Sequence, residues 1–275
     1  MHHHRRRRII AMNDPNGSAA DPYHLFAKFY DLEFAGVVDD LPFYQQFAVE
    51  AGGPVLELGC GSGRVLEPLL DANVPLSGVD SSPAMLALAR DRLKDAVELH
   101  LCPMQAIASL EFRHAPFWLA ICAINTFLHL PGIEDQLQTL RAARQLVVPG
   151  GLLILDVFAP DPTYLAHLDG RITCEFSTTL GDGSQLDKWV ARTHDLSEQI
   201  IETQVWYELC SPSDGSVRRF ADRYAMRYVH RFELEHLLAR AGWSIVSLFG
   251  SYDLEAYGPD AERMLVLATW HESEA

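Results

Sequence analysis

No stretch of the 275 residues approaches the roughly 20 consecutive apolar positions that a membrane-spanning helix needs, so no membrane partner is expected. Basic residues are scarce. The 22 Lys and Arg face 37 Asp and Glu, giving a net charge of −15. A surface of that sign repels phosphate backbones, so nucleic acid is disfavoured as a partner. The five cysteines (Cys60, Cys102, Cys122, Cys174, Cys210) are odd in number, widely spaced and free of any Cys-x-x-Cys pair. They read as reduced thiols packed as small hydrophobes, which fits a cytoplasmic protein. No His, Cys or carboxylate cluster has metal spacing, so no metal is expected. Internal repeats are absent. The opening Met1-His-His-His and Arg5 to Arg8 have neither an apolar stretch nor a small-residue cleavage site, so they do not read as a secretory signal. Residues 1–20 are set aside as a disordered or tag-like arm.

What is present is a strand–helix alternation. Residues 23–50 have helical character and many aromatics, among them Tyr23, Phe26, Phe29, Tyr30 and Phe34. Val55 to Leu58 reads as a buried strand, followed by a glycine-rich turn and a helix carrying Leu66, Leu69 and Leu70. Val74 to Val79 is a second strand. Ser82-Pro83 then opens a helix, with serine as N-cap and proline at the first helical position. Strands at Val97 to Cys102, Trp118 to Ile124 and Leu152 to Phe158 complete a parallel α/β pattern. After Pro160 the period changes to two. Ile201, Thr203, Val205, Tyr207 and Leu209 share one strand face, and Asp182-Gly183 and Ser213-Asp-Gly215 mark turns. About four antiparallel strands are therefore expected as an insertion, before a closing helix and two last strands.

The chemistry centres on Val55-Leu-Glu-Leu-Gly-Cys-Gly-Ser-Gly-Arg64. Glycines at 59, 61 and 63 permit a tight strand-to-helix turn and let a ligand approach the backbone near a helix N-terminus. A dinucleotide fingerprint requires Gly-x-Gly-x-x-Gly, but here Arg64 takes the place of the third glycine. The lysine of a phosphate-binding Walker loop is missing too. Asp80 ends the second strand about 20 residues after Gly59, a spacing at which a carboxylate can accept bonds from both ribose hydroxyls. The same residue could serve only as an extra cap for the helix that starts near Ser82.

These segments resemble the first two motifs of the class I S-adenosylmethionine (SAM)-dependent methyltransferases: the turn just quoted, and Gly78-Val-Asp-Ser-Ser-Pro-Ala-Met-Leu86. Pro149-Gly-Gly-Leu-Leu-Ile-Leu-Asp156 is similar to the approach to their fifth strand. The resemblance covers about residues 50–160 plus the closing strands. It implies an α/β, Rossmann-like, seven-stranded, mostly parallel sheet whose last strand is antiparallel, here with the inserted antiparallel sheet after the fifth strand. The implied organisation is a helical cap over 21–50, a SAM-binding core over 51–160 and 231–275, and an insertion over 161–230 that forms an acceptor site or a homodimer surface.

By the same resemblance, Glu57 and the backbone of Gly59, Cys60, Gly61 and Gly63 would hold the methionine part of SAM, and Asp80 the ribose. Ser81 and Met85 would flank the adenine, with Met104 and Gln105 on its other side, and backbone at Ala123 to Asn125 would receive the methionine amino group. This sequence departs from the pattern twice. Cys102-Pro103 stands where relatives often place an acid near the adenine amine, and Phe117-Trp118 where they often have Phe-Asp. Phe26-Ala-Lys-Phe-Tyr-Asp-Leu-Glu-Phe34 resembles a Tyr-Asp segment of methyltransferases acting on small amines, glycine and nucleotide-sugar enzymes among them. That resemblance implies Tyr30 as a lid over the sulfonium, with simple packing of the capping helix as the alternative reading of these aromatics. In Asn125-Thr-Phe-Leu-His-Leu130, His129 is the expected catalytic base by its ordinary pKa near 6.5, and Phe127 and His129 are expected to shape the acceptor pocket. In the insertion, Arg219, Arg223 and Arg227 share one strand face. Arg223 is a candidate for an acceptor carboxylate or phosphate, with pairing to Glu202 or Glu208 as the alternative.

No Asn-Pro-Pro-Tyr-like tetrapeptide follows the fourth strand, and Cys122 lacks a preceding proline, so neither adenine nor cytosine methylation is expected. The expected activity is methyl transfer from SAM to a nitrogen or oxygen of a small-molecule acceptor. The alternatives are an inactive SAM-binding relative serving as an interaction subunit and a nicotinamide-dependent oxidoreductase, the latter disfavoured by the glycine spacing.

Overall fold

The computed structural model describes Asp21 and residues 23–272; the arm at 1–20 lies outside them. The aromatic-rich start forms two helices, α1 (His24–Phe34) and α2 (Leu41–Ala51). The break falls at Gly36 and the β-branched Val37 and Val38, all weak helix formers, and Pro42 sits in the first turn of α2 where its missing N–H costs nothing. Strand β1 (Val55–Leu58) and the glycine turn lead to the short α3 (Leu66–Leu69), followed by β2 (Leu76–Asp80), α4 (Pro83–Leu93), β3 (Glu98–Leu101) and β4 (Phe117–Cys122). A single-turn 3₁₀ segment, Thr126–His129, precedes α5 (Ile133–Leu146) and β5 (Val147–Phe158).

The inserted segment begins with α6 (Pro162–Ala166) and continues as β6 (Asp169–Thr179), β7 (Gln185–Asp195), β8 (Ile200–Cys210) and β9 (Val217–Arg227). The chain returns through α7 (Arg231–Arg240), β10 (Ser244–Phe249) and β11 (Arg263–Thr269). The main sheet has the order β10-β11-β5-β4-β1-β2-β3, and β6 to β9 form a separate four-stranded meander. β11 runs antiparallel to both β5 and β10, whereas β1 to β5 pair in parallel. The antiparallel strand thus lies one position in from the edge, which β10 forms.

Both faces of the main sheet are buried, which is why its central strands read as continuous apolar runs rather than as alternating ones. Ala120, Cys122, Leu153 and Leu155 pack on the side covered by α5 and α7; Leu119, Ile121 and Ile154 face the helices α2 to α4. Each buried Leu or Ile contributes about 1.5–3 kcal/mol.

α1 lies between the main domain and the meander and is tied to both. Toward the core, Asp31 accepts from Ser62 Oγ at 2.8 Å and pairs with Arg92 at 2.9 Å. Toward the meander, Phe29 stacks on Tyr207 with centroids 4.5 Å apart, inside an apolar cluster with Leu186, Val190 and Val205. Asp21 fastens the approach to this helix: its Oδ2 accepts from Ser82 Oγ at 2.7 Å and from Ala84 N at 3.0 Å, at the N-terminus of α4. Ser82 itself caps α4 by accepting from Met85 N at 3.1 Å. α1 therefore roofs the space between the C-terminal ends of the central strands and the inner face of the meander.

Candidate active site

That space is a cavity of about 850 Å³. One end is built from the glycine turn. Gly59, Gly61 and Gly63 all hold left-handed backbone, with φ of 68°, 54° and 79°. A Cβ on Gly59 would stand 2.2 Å from Thr126 Cγ2, and one on Gly61 3.0 Å from Met85 Cε. Gly61 N donates to Asp80 Oδ2 at 2.9 Å, and Ser82 N donates to Oδ1 at 2.8 Å. Each oxygen keeps a lone pair for a ligand hydroxyl. Burial pushes the Asp80 carboxyl upward, opposed by these backbone N–H groups.

Glu57, on β1 beneath the turn, is 3% exposed, and its Oε2 has no hydrogen-bond partner among the described residues. Burial drives its pKa well up, with Arg64 pulling the other way. A buried carboxylate oxygen without a donor is a site that an arriving ammonium would complete. Glycine cradle, carboxylate pair and orphan oxygen together fit an adenosyl ligand carrying an amino-acid tail. Gly59, Gly61 and Asp80 would hold it, with Ser81, Met85 and Met104 at its flanks; Glu57 lies beneath the turn, outside the cavity lining, and would act on the ligand from there. Bound there, SAM supplies a methyl group already activated on a sulfonium.

Asn125 stands at the junction with the second half of the cavity. Its φ is 61° and that of Ile124 is 33°, a left-handed pair that few side chains tolerate. The pair is held by Asn125 N donating to Asp156 O at 2.8 Å and Phe158 N donating to Asn125 Oδ1 at 2.7 Å. Asp156 is fully buried. It takes Ile124 N at 3.3 Å, Tyr44 Oη at 2.5 Å and Tyr252 Oη at 2.7 Å, and it pairs with Arg263.

His129 faces the cavity from the turn that follows. Tyr224 stacks against its ring at 5.3 Å, Tyr23 meets it edge-on at 5.8 Å, and Tyr23 Oη lies 3.3 Å from Nδ1. Burial lowers its pKa to about 4, below the ordinary value on which the expectation of a base rested. The imidazole is therefore neutral at physiological pH. It should show no titration step between about pH 5 and 8 when its ring protons are followed by NMR; a midpoint near the ordinary value would contradict the burial. The sign for stability follows. The unfolded chain takes up this proton first, so folding weakens as pH falls from about 6.5 toward 4.

Tyr30 lines the cavity, stacked on Phe34 at 4.4 Å, and burial raises its hydroxyl to about 12, so it stays protonated.

Several expected residues lie elsewhere. Phe127 is fully buried in the main core, because the 3₁₀ turn points it inward and leaves Thr126 and His129 toward the cavity. Arg223 is exposed and does not line the cavity. Side chains alternate along β9, and it is Tyr224 and Met226 that face in. On the arginine face, Arg219 pairs with Glu208, as the cross-strand alternative had it, and Arg227 Nε donates to Pro131 O at 2.6 Å. Gly63 abuts Leu93 and Ala89, so it serves helix packing. The Cys60 side chain sits in the core against the space above Gly78, Ala123 is buried, and Gln105 is outside the lining. Conversely, Tyr23, Glu33, Glu175, Lys188, Arg192 and Tyr224 line the cavity, and no sequence motif marks them as site residues.

Residues 55–151 match the methyltransferase-domain family. The chain is 25% identical over 234 residues to dTDP-3-amino-3,4,6-trideoxy-alpha-D-glucopyranose N,N-dimethyltransferase of Streptomyces venezuelae, covering 84% of this chain and 92% of that one. It is 30% identical over 127 residues to ubiquinone biosynthesis O-methyltransferase of Pseudomonas aeruginosa, spanning 46% of this chain and only 52% of that relative. The structure of the CcbJ methyltransferase from Streptomyces caelestis superposes with a TM-score of 0.71 at 26% identity, over 90% of this chain and 96% of that one. The chain is a class I SAM-dependent methyltransferase. It uses SAM to methylate a small-molecule acceptor.

Proposed function

We propose that the acceptor is the amino group of a small, sugar-like molecule, and that His129 orients it. The observation that carries this reading is the continuity of one cavity from the glycine turn, past His129, to the inner face of the meander at Tyr224 and Lys188. An adenosyl ligand seated on the turn leaves the second half for an acceptor, with its nucleophile beside His129. The Streptomyces venezuelae relative, named for N,N-dimethylation of an amino sugar, aligns across 84% of this chain.

Holding the two reactants in line can remove about 7–11 kcal/mol of the barrier. Asp80, Glu57 and the glycine backbone fix one partner; α1 and the meander enclose the other and exclude water. Tyr30 places an aromatic ring at the lid, where a cation gains about 0.5–2 kcal/mol. With His129 Nδ1–H donated to the Tyr23 oxygen, Nε2 keeps a lone pair that accepts from the amine N–H and aims the nitrogen lone pair at the methyl group; the carbon–sulfur bond breaks as the carbon–nitrogen bond forms, and the product ammonium loses its proton to water after release.

The test is calorimetric titration with SAM and S-adenosylhomocysteine, followed by mass spectrometry of amino sugars incubated with SAM and the protein. Binding of both adenosyl ligands and a mass gain of one or two methyl groups on the amine are expected. Binding without methylation of any amine, but with methylation of a phenol or catechol, would overturn the amine reading.

A further inference from the structure

The far wall of the cavity carries charges that the methyl-transfer chemistry does not use. Lys188, on β7, forms an ion pair with Glu33 of α1, and both side chains line the cavity although only 7% and 16% exposed. Tyr207, itself fully buried, donates to Glu33 Oε2 at 2.9 Å. Four residues along the same strand, and so on the same face, Arg192 pairs with Glu175 of β6, with Nη2 2.9 Å from Oε2.

A buried ion pair does little for stability, since apolar residues of like volume usually hold a fold as well or better. Its presence on a cavity wall therefore calls for a reason in recognition. The remaining valences give one. An ammonium has three donors, and among the described residues Glu33 is the partner of Lys188 Nζ. Each Glu33 oxygen has accepted once, from Lys188 and from Tyr207, and each keeps a second lone pair.

We infer that the Glu33–Lys188 pair, held by Tyr207, is a subsite for hydroxyl groups on an uncharged, polyhydroxylated part of the acceptor. This rests on the amine-acceptor reading above and adds how the rest of that molecule is recognised. A hydroxyl accepts from Lys188 and donates to Glu33 at once, and the pair stays neutral. A phosphate or carboxylate would have to draw Lys188 from Glu33 and leave two anions side by side. A second ammonium would strand Lys188. The Arg192–Glu175 pair extends the same neutral, donor- and acceptor-rich wall.

The experiment compares two cyclic primary amines, D-glucosamine and cyclohexylamine, with wild type and with the Glu33→Gln/Lys188→Met double variant. Removing both charges together avoids an unpaired buried ion, and the introduced amide oxygen still accepts from Tyr207, so thermal stability and SAM affinity should be retained. The double variant is expected to lose about 10- to 100-fold in kcat/KM on D-glucosamine, the worth of one or two charged hydrogen bonds, and less than about 3-fold on cyclohexylamine. Equal losses on both amines, or no loss on D-glucosamine, overturn the subsite while leaving the amine reading in place. A wild-type preference for a phosphorylated glucosamine over D-glucosamine overturns the neutral wall. Failure of wild type to methylate either amine, with SAM bound, overturns the amine reading and the subsite with it.

Discussion

Adding a single methyl group at Gly59 is expected to weaken SAM binding by about 100-fold or more, roughly 2.7 kcal/mol, in calorimetric titration of Gly59→Ala. Two separate penalties produce this loss. The backbone at Gly59 is left-handed, with φ of 68°, where an L side chain costs about 1–2 kcal/mol. The new Cβ would also stand 2.2 Å from Thr126 Cγ2, far inside contact distance. The turn must open or Thr126 must retreat, and both line the cavity. The two penalties can be separated. Thr126→Ser deletes the clashing methyl and keeps the hydroxyl, so Gly59→Ala/Thr126→Ser should recover the steric share and keep the conformational one. A double-mutant cycle then shows a favourable coupling of the contact pair. Unchanged SAM affinity in Gly59→Ala would mean that the ligand does not rest on this turn.

The glycine turn and Asp80 were legible in the sequence because the chemistry there is local. Positive φ selects glycine, and a strand end followed by Ser-Pro places both a cap and a carboxylate. The meander was legible as alternation, but alternation alone does not say which face turns inward. Arg223 and Tyr224 are neighbours in sequence, and only the docking of α1 against Phe220, Tyr207 and Val205 decides that the even-numbered face of β9 is the inner one. Phe127 lies in the core rather than at the acceptor pocket for a related reason. The segment after β4 closes a 3₁₀ turn, and its rotation sends Phe127 into the core beside Leu128.

The Glu33–Lys188 pair was beyond reach for a different reason. Its partners lie 155 residues apart and meet only because a helix from the N-terminal cap packs on a sheet inserted late in the chain. His129 shows the same limit in chemistry. Its position after the fourth strand followed from the fold pattern, but its pKa depends on the Tyr23 and Tyr224 rings that bury it.

That burial shapes the second large effect, in His129→Ala. A base poised near neutrality adds about 10²–10⁴-fold, but a group whose pKa lies near 4 takes a proton with little driving force, so the lower end of that range applies. What a neutral, half-buried imidazole does well is accept one hydrogen bond in a fixed direction. Tyr23 and Tyr224 fix the ring, and misplacement of an acceptor by about 1 Å costs about 10²-fold. His129→Ala is therefore expected to lower kcat about 10²-fold on an amine acceptor and leave the SAM dissociation constant unchanged, since none of the expected SAM contacts uses the His129 side chain. Tyr23→Phe keeps the packing and releases Nδ1, so a smaller fall is expected, about 3- to 10-fold, the worth of one neutral hydrogen bond. The pH profile separates the two roles. If His129 orients the amine, the wild-type acid limb follows the acceptor's own ammonium, and the variant keeps that limb at a lower plateau. If His129 is the titrating base, the limb itself moves or vanishes in the variant. A His129→Ala enzyme with unchanged kcat on every methylated acceptor would remove this residue from both roles and leave Tyr224 to position the nucleophile.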